Sequence, residues 1–345
     1  MIRLSQFDFH APDSFAKALE ILAGSNGDTK ILAGGTDLIV GMKQGVSRPE
    51  RVVWLGKVRE LQELELTNEG GLRIGAMCRL DDIERNESVK RRCSSLIKVI
   101  RSIASPQIRN RATIGGNLCL NTRCFYYDQS EFWRGSLGYC LKHGSGVCHA
   151  APGLKSCSAV FPSDLAPFLI ALNSSVKVCG LGGERNILLR HFYSDDGSNH
   201  LALRPGEILS EVVIPSHSLD LRSGFEKLRL RGSIDYPLVN VATSASVDSG
   251  NVVRSIRIVL GAVQTMPVEL QSLENILLGK RLTPELIHHT AQEAVALVKP
   301  VPNSIESVHS RKVMVGRLVK KSLASLLGSP ESDCPSSKCF RQMEL

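Results

Sequence analysis

The sequence of 345 residues lacks several features that would assign it to a common class of protein. No window approaches about 18 uninterrupted apolar residues, which predicts that the chain does not span a membrane. The N-terminal stretch has no apolar run of the signal-peptide type, so we expect a cytoplasmic protein, in which disulfides are rare. No basic run interleaved with aromatic residues is found either. That absence argues against nucleic-acid binding, despite a net charge of +8.

Signatures of common cofactor and catalytic sites are also missing. The glycine turns do not follow the G-x-G-x-x-G pattern, so a nicotinamide-binding Rossmann domain is not supported. The cysteines form neither the paired knuckles of a zinc ribbon nor the compact runs of bacterial ferredoxins. His10, His143, His149 and His191 lack neighbouring groups that would orient them. We therefore nominate no catalytic residue in this chain.

The pattern of apolar residues predicts an α+β protein with two domains. A change in pattern places the boundary between Pro215 and Arg222, so residues 1–218 form the first domain. Residues 222–328 are predicted to hold a three-stranded antiparallel sheet followed by helices. The polar segment 329–345 is predicted to be a mobile tail.

Two glycine turns of the first domain are candidates for phosphate binding. Residues 33–38 (AGGTDL) follow a short apolar strand, and residues 113–117 (TIGGN) follow a Ser-Pro helix stop. Glycine lets backbone N–H groups approach a phosphate closely. Either turn alone could be an ordinary strand-to-helix connection, but the pair could cradle the two phosphates of a dinucleotide. Asp164 precedes a later helix, where it could cap the helix or contact a cofactor.

A long cysteine-rich stretch separates these turns from that helix. It holds Cys119 and then Cys124, Cys140, Cys148 and Cys157 at a C-x15-C-x7-C-x8-C spacing. Four soft ligands on a wrapping loop suit an iron–sulfur cluster. A zinc site and a set of reduced, buried thiols remain alternatives. Cys119 is expected to lie on a core strand, although spacing alone would allow it to replace Cys124.

Four motifs together resemble a known family. They are residues 33–38, the sequence RIGA at 73–76, residues 113–117 and the pair at 163–164. Their order along the chain is similar to the order found in one class of proteins. This class comprises the FAD-binding medium subunits of the xanthine dehydrogenase family of molybdenum hydroxylases. The resemblance covers nearly the whole chain. It implies a two-lobed FAD-binding domain, with lobes 1–55 and 56–218 and an insert at about 122–160, followed by the family's C-terminal flavoprotein domain.

The resemblance also implies an FAD site. Residues 31–38 would wrap the pyrophosphate, residues 113–117 would form a second phosphate-side loop, and Asp164 would hydrogen-bond the flavin or its ribityl chain. One departure is visible, because Cys78 stands where many members carry threonine. The residues assigned to FAD in this way are Ile31, Leu32, Ala33, Gly34, Gly35, Thr36, Asp37, Leu38, Ile103, Thr113, Ile114, Gly115, Gly116, Asn117, Asp164, Leu209 and Lys227.

The insert resembles one group within the family, the 4-hydroxybenzoyl-CoA reductases, in which four cysteines hold a 4Fe–4S cluster. The resemblance implies that Cys124, Cys140, Cys148 and Cys157 are the ligands here. Electrons would then pass from reduced ferredoxin to the cluster, to FAD, to 2Fe–2S clusters in a small subunit and to a molybdenum cofactor in a large subunit. There the phenolic hydroxyl of 4-hydroxybenzoyl-CoA would be removed. The implied assembly is a dimer of heterotrimers.

Two other functions remain open. The chain could be the FAD subunit of a xanthine- or CO-dehydrogenase-like hydroxylase that delivers electrons to NAD or a quinone. It could instead be a zinc-stabilised interaction scaffold with no flavin and no enzymatic role.

Overall fold

The computed structural model describes residues 4–25, 28–302 and 306–327. The predicted mobile tail at 329–345 therefore lies outside the described residues. Within the described ranges, no helix combines the length and apolarity needed to cross a bilayer.

The first lobe is a three-stranded parallel sheet in the order β1-β3-β2. The helix that follows β1 is capped by Ser14, whose Oγ accepts a hydrogen bond from the Lys17 N–H at 3.4 Å. The first glycine turn joins β2 to α2 at the carboxyl end of the strand. The elements of this lobe are β1 (Asp8–His10), α1 (Phe15–Ala23), β2 (Thr29–Leu32), α2 (Leu38–Lys43) and β3 (Arg51–Trp54).

The second lobe is built on a five-stranded antiparallel sheet in the order β4-β5-β8-β6-β7. The turn Asn-Glu-Gly-Gly at 68–71 predicts a hairpin over 63–77, and the pairing of β4 with β5 confirms it. The strands are β4 (Leu64–Leu66), β5 (Leu72–Gly75), β6 (Ser175–Gly180), β7 (Gly183–Leu188) and β8 (Ile208–Ile214). The α-helices are α3 (Leu80–Arg85), α4 (Glu87–Arg92), α5 (Ser94–Ser102), α6 (Pro106–Arg109), α7 (Ile114–Leu118), α8 (Glu131–Ser136), α9 (Leu165–Ala171) and α10 (Ser216–Leu219). Short 3₁₀ turns occupy Arg59–Gln62, Leu141–His143 and Leu189–His191.

Two sequence expectations for this lobe are wrong in detail. Ile, Leu and Val recur at helical spacing from 80 to 104, which predicts a single helix, but this stretch is divided into α3, α4 and α5. Asn86 starts α4 because its Oδ1 accepts from the N–H groups of Ser88 and Val89 at 2.9 and 3.1 Å. Cys93, at φ −148°, ends α4. Cys119 does not lie on a strand but ends the five-residue helix α7.

The C-terminal domain contains a four-stranded antiparallel sheet in the order β12-β11-β10-β9, not the three-stranded sheet that the sequence predicts. The additional strand has only two residues, which is too short for an alternating pattern to show. The elements are β9 (Arg222–Leu228), β10 (Val239–Val247), β11 (Val253–Gly261), β12 (Val268–Glu269), α11 (Gln271–Leu277), α12 (Pro284–Leu297) and α13 (Val308–Ser325). The sheet also meets the second lobe, since Ser244 Oγ donates to the carbonyl oxygen of Ala171 at the end of α9 at 2.5 Å.

The cysteine-rich insert leaves and rejoins the second lobe at one point. Arg123 and Val160 form an isolated antiparallel bridge, with N–H to carbonyl distances of 2.7 and 2.8 Å. The insert also contacts the first lobe. Arg134 Nη2 donates to the carbonyl oxygen of Gly45 at 3.1 Å, and the Tyr127 hydroxyl donates to that of Val46 at 3.4 Å. The insert is therefore packed against the end of α2.

Candidate functional site

A cavity of about 770 Å³ lies where the two lobes and the C-terminal domain meet. Its size falls within the range of about 300–1,000 Å³ that is usual for cofactor sites. Three nominated residues do not line it: Ile114 is fully buried in the core, Leu32 is the last residue of β2, and Lys227 donates to Asp164, which does line it. The nominated residues that do line it are Ile31, Ala33, Gly34, Gly35, Thr36, Asp37, Leu38, Ile103, Thr113, Gly115, Gly116, Asn117, Asp164 and Leu209.

The first glycine turn presents unused donors to this cavity. Gly35 has a φ of +77°, which favours glycine. A Cβ on Gly34 would lie 1.8 Å from the carbonyl oxygen of Arg111, so this turn touches the backbone that leads into the second glycine turn. Among the described residues, the backbone N–H groups of residues 34–37 have no acceptor. Such a set of free N–H groups can bind a phosphate.

The second glycine turn opens the short helix α7. Thr113 caps this helix, with its Oγ1 accepting from the Gly116 N–H at 3.1 Å. A Cβ on Gly115 would meet the Cβ of Ala76 at 2.6 Å, so only glycine allows the helix to approach β5 this closely. Asn117 accepts a hydrogen bond from Ser163 Oγ at 2.7 Å, which ties the turn to the start of α9.

Asp164 forms a buried ion pair instead of capping α9. Its Oδ2 accepts from Lys227 Nζ at 2.6 Å, and its Oδ1 accepts from Asn240 Nδ2 at 3.0 Å. Ser163 caps the helix instead, accepting from the Ala166 N–H at 3.0 Å. Burial raises the pKa of Asp164, and Lys227 and Asn240 oppose that rise. The carboxylate therefore lines the cavity with its position fixed from two β-strands.

Arg123 connects the insert to the first glycine turn. Its Nη2 donates to Asp37 Oδ1, and the Tyr236 hydroxyl donates to the same oxygen at 3.0 Å. The guanidinium carbon lies 5.1 Å from the centre of the Tyr236 ring. Burial acts to lower the pKa of Arg123, but Tyr236 and Asp37 raise it overall. Arg123 thus offsets the negative charge of Asp37 beside the candidate phosphate site.

The four nominated cysteines line a second, small cavity inside the insert. Cys124 lines both cavities, whereas Cys119 lines only the large one. In the described part of the chain, no group of three or more His, Cys, Asp or Glu side chains is placed to hold a metal ion. The four thiols therefore surround one space without converging on a single point.

The local environment shifts the pKa values of these thiols in different directions. Burial raises the pKa of Cys124 to about 11, and it also raises the pKa of Cys157. Burial acts to raise the pKa of Cys148 as well, but hydrogen bonds from Ser158 and backbone N–H groups lower it overall. Outside the small cavity, burial raises the pKa of Cys119 to about 12.

Several residues that line or support the large cavity were not anticipated from the sequence. Arg123 directly precedes the nominated ligand Cys124, and this position in the sequence could have indicated its role. Tyr236 and Asn240 belong to the C-terminal domain, where no local pattern marks them. Arg311 of α13 is buried and lines the cavity; it donates to the carbonyl oxygens of Leu238 at 3.2 Å, of residue 301 at 2.8 Å and of residue 262.

Comparison with known proteins matches nearly the whole chain to one family. Residues 5–217 match the FAD binding domain in molybdopterin dehydrogenase, and residues 224–326 match the CO dehydrogenase flavoprotein C-terminal domain. An aldehyde oxidoreductase FAD-binding subunit of Escherichia coli is 33% identical over 71% of this chain and 78% of its own. The carbon monoxide dehydrogenase medium chain of Hydrogenophaga pseudoflava is 27% identical over 92% and 96%. A solved carbon monoxide dehydrogenase from that organism superposes with a TM-score of 0.77 at 25% identity, covering 94% of this chain and 98% of its own.

Proposed function

The chain belongs to the family of FAD-binding subunits of molybdopterin dehydrogenases, and from this premise we propose that it relays electrons within a multi-subunit molybdenum enzyme. Bound FAD would supply reversible transfer of one or two electrons. The partners would be a large subunit with the molybdenum cofactor and a small subunit with 2Fe–2S clusters. The names of the relatives, a medium chain and an FAD-binding subunit, support this arrangement.

The residues of the large cavity fit FAD. The free N–H groups of residues 34–37 would donate to the diphosphate. Residues 113–117 would pack against it from the other side, since the N–H groups of residues 114–117 already have acceptors within the protein. Arg123 would keep the charge of Asp37 from repelling this anion. Asp164, held by Lys227, would orient the flavin or ribityl chain through hydrogen bonds.

The relatives favour a hydroxylase as the complete enzyme. Their names refer to carbon monoxide and aldehyde oxidation, and they give no support for 4-hydroxybenzoyl-CoA as the substrate. At this coarse level, the FAD subunit of a CO- or xanthine-dehydrogenase-like enzyme, delivering electrons to NAD or a quinone, agrees better with the comparisons than the reductase does.

The cysteine cavity is the observation that supports the reductase. We propose that Cys124, Cys140, Cys148 and Cys157 hold a 4Fe–4S cluster that receives electrons from reduced ferredoxin. Each thiolate would bind a different iron atom, so the four sulfurs would surround a space and would not meet at one ion. The partner large subunit would then remove the phenolic hydroxyl of 4-hydroxybenzoyl-CoA.

Metal and flavin analysis of anaerobically purified protein tests the cofactor proposal. We expect one FAD and about four iron atoms per chain. Cys140→Ser should lose the iron and largely retain the flavin, whereas the matched variant Cys119→Ser should retain both. Zinc without iron or flavin would favour the interaction scaffold, and loss of iron in Cys119→Ser alone would show that the ligand set is wrong.

Reduction of the anaerobic protein distinguishes ferredoxin from a nicotinamide as the electron partner. Rapid bleaching of the flavin by reduced ferredoxin, with slow or no bleaching by NADH, is the result expected for the reductase. The opposite result would establish the hydroxylase as the better interpretation. Oxidation of reduced ferredoxin by the co-expressed complex, dependent on 4-hydroxybenzoyl-CoA, then tests the substrate.

A further inference from the structure

Lys142 places a cation in the cavity lined by the four cysteines. It lies in the turn Leu141–His143, which follows Cys140 directly. Its ammonium group donates to Asn121 Oδ1 at 2.8 Å, to the carbonyl oxygen of Thr122 at 2.9 Å and to Thr122 Oγ1. An ammonium group has three N–H donors, so each has an acceptor and the charge is held in one place.

The surroundings of this charge contain thiols but no paired carboxylate. The ammonium nitrogen lies 4.9 Å from the centre of the Tyr127 ring. Across the residues that the structure describes, no carboxylate comes within ion-pair distance of Lys142, and Asp128 acts on it only from farther away. Burial lowers the pKa of Lys142 to about 8, and Cys157, Asp128 and Cys124 oppose that decrease. A partly desolvated ammonium group without a counter-ion is unfavourable, so the position suits an anionic ligand in this cavity.

We propose that Lys142 is a positioning residue whose ammonium charge makes the bound iron–sulfur cluster easier to reduce. This inference rests on the proposed function, because the cluster is part of it. A 4Fe–4S cluster with four thiolate ligands is negatively charged and becomes more negative by one charge when it accepts one electron from the ferredoxin-type donor. No bond or proton changes in that step. A fixed nearby cation favours the more negative state, and net charge is one determinant of a cluster's potential.

The midpoint potential of the cluster is the measurement that tests this role. It is obtained by a redox titration of the anaerobically purified protein, followed by electron paramagnetic resonance, with iron determined in the same samples. Lys142→Met should shift the potential to a more negative value, whereas Lys142→Arg, which keeps the charge, should remain close to the wild type. Lys155→Met is the matched control, because Lys155 is exposed on the same insert and its loss should leave the potential unchanged.

Each outcome separates this inference from the proposed function. An iron-loaded Lys142→Met variant with the wild-type potential would overturn the role of Lys142 and leave the cluster proposal intact. A wild-type protein without iron would overturn both. If Lys142→Met does not retain iron, Lys142→Gln takes its place, since it keeps a hydrogen-bond donor without the charge. Equal potentials in Lys142→Gln and Lys142→Arg would then refute the inference.

Discussion

Substitution of Lys227 by methionine should strongly destabilise the protein even when no flavin is bound. Lys227 Nζ lies 2.6 Å from Asp164 Oδ2, and each side chain is only 4% exposed. Without the ammonium group, the buried carboxylate would retain Asn240 as its side-chain partner but would lose the cation that it contacts, leaving only the more distant Arg229. Removal of one member of a buried ion pair costs about 3–5 kcal/mol of the free energy of unfolding. Urea denaturation of the FAD-free protein measures this loss.

An exposed ion pair of the same domain provides the matched control. Lys321 Nζ lies 2.8 Å from Glu226, but the Lys321 side chain is 71% exposed. Loss of such a pair costs about 0–1 kcal/mol. Lys321→Met should therefore unfold at nearly the wild-type urea concentration. A Lys227→Met variant no less stable than Lys321→Met would refute the assigned role of the buried pair.

The same variant should have a distinctive dependence on pH. Burial already raises the pKa of Asp164, and Lys227 opposes that rise, so its removal should raise the pKa further. A folded-state pKa above the unfolded value means that the native carboxyl group keeps a proton that the unfolded chain releases. Stability is then lost as the pH rises through the folded pKa. The loss of stability in Lys227→Met should thus increase from acidic to neutral pH. A second change, Asp164→Asn, should abolish this pH dependence and restore part of the lost stability.

Three further predictions concern the cavity. Gly34→Ala should weaken FAD binding by about tenfold or more, measured by flavin fluorescence titration, because the added Cβ would lie 1.8 Å from a backbone oxygen; Gly182→Ala, which lies outside the cavity and whose Cβ would have no atom within 4 Å, should bind FAD normally. Arg123→Leu should also weaken FAD binding, by like-charge repulsion from Asp37, and a second change, Asp37→Asn, should restore it; no restoration would contradict the assigned role of Arg123. Arg311→Met should lower the free energy of unfolding by about 3 kcal/mol in urea denaturation, since one buried and two partly buried carbonyl oxygens lose a donor, whereas an unchanged midpoint would contradict this prediction.

Local features of the fold were the most predictable from the sequence. The hairpin β4–β5 follows from an Asn-Glu-Gly-Gly turn between two alternating segments, because turn chemistry and strand period act over a few residues. The division of residues 80–104 into three helices was missed, since continuous apolar periodicity conceals the cap at Asn86. The two-residue strand Val268–Glu269 was missed because its pairing depends on a neighbouring strand and not on its own composition.

The candidate site was predictable where its residues are close in sequence. The turns at 34–37 and 113–117 carry their glycines as local evidence. The partners of Asp164 and Asp37 have no such local evidence in the sequence. Lys227 and Tyr236 come from another domain and reach these carboxylates only in the folded chain. The choice between a helix cap and a cofactor contact for Asp164 stayed open for the same reason: a distant ammonium group competes with the local backbone N–H groups, and Ser163 takes over the cap.

The bridge between Arg123 and Val160 has a consequence for how this protein could have arisen. Paired N–H and carbonyl groups at 2.7 and 2.8 Å hold the two ends of the insert side by side, as at the base of a hairpin. A segment whose ends already meet can be gained, lost or exchanged with little effect on the surrounding backbone. We therefore expect that a short linker between these two positions would preserve the surrounding FAD-binding fold.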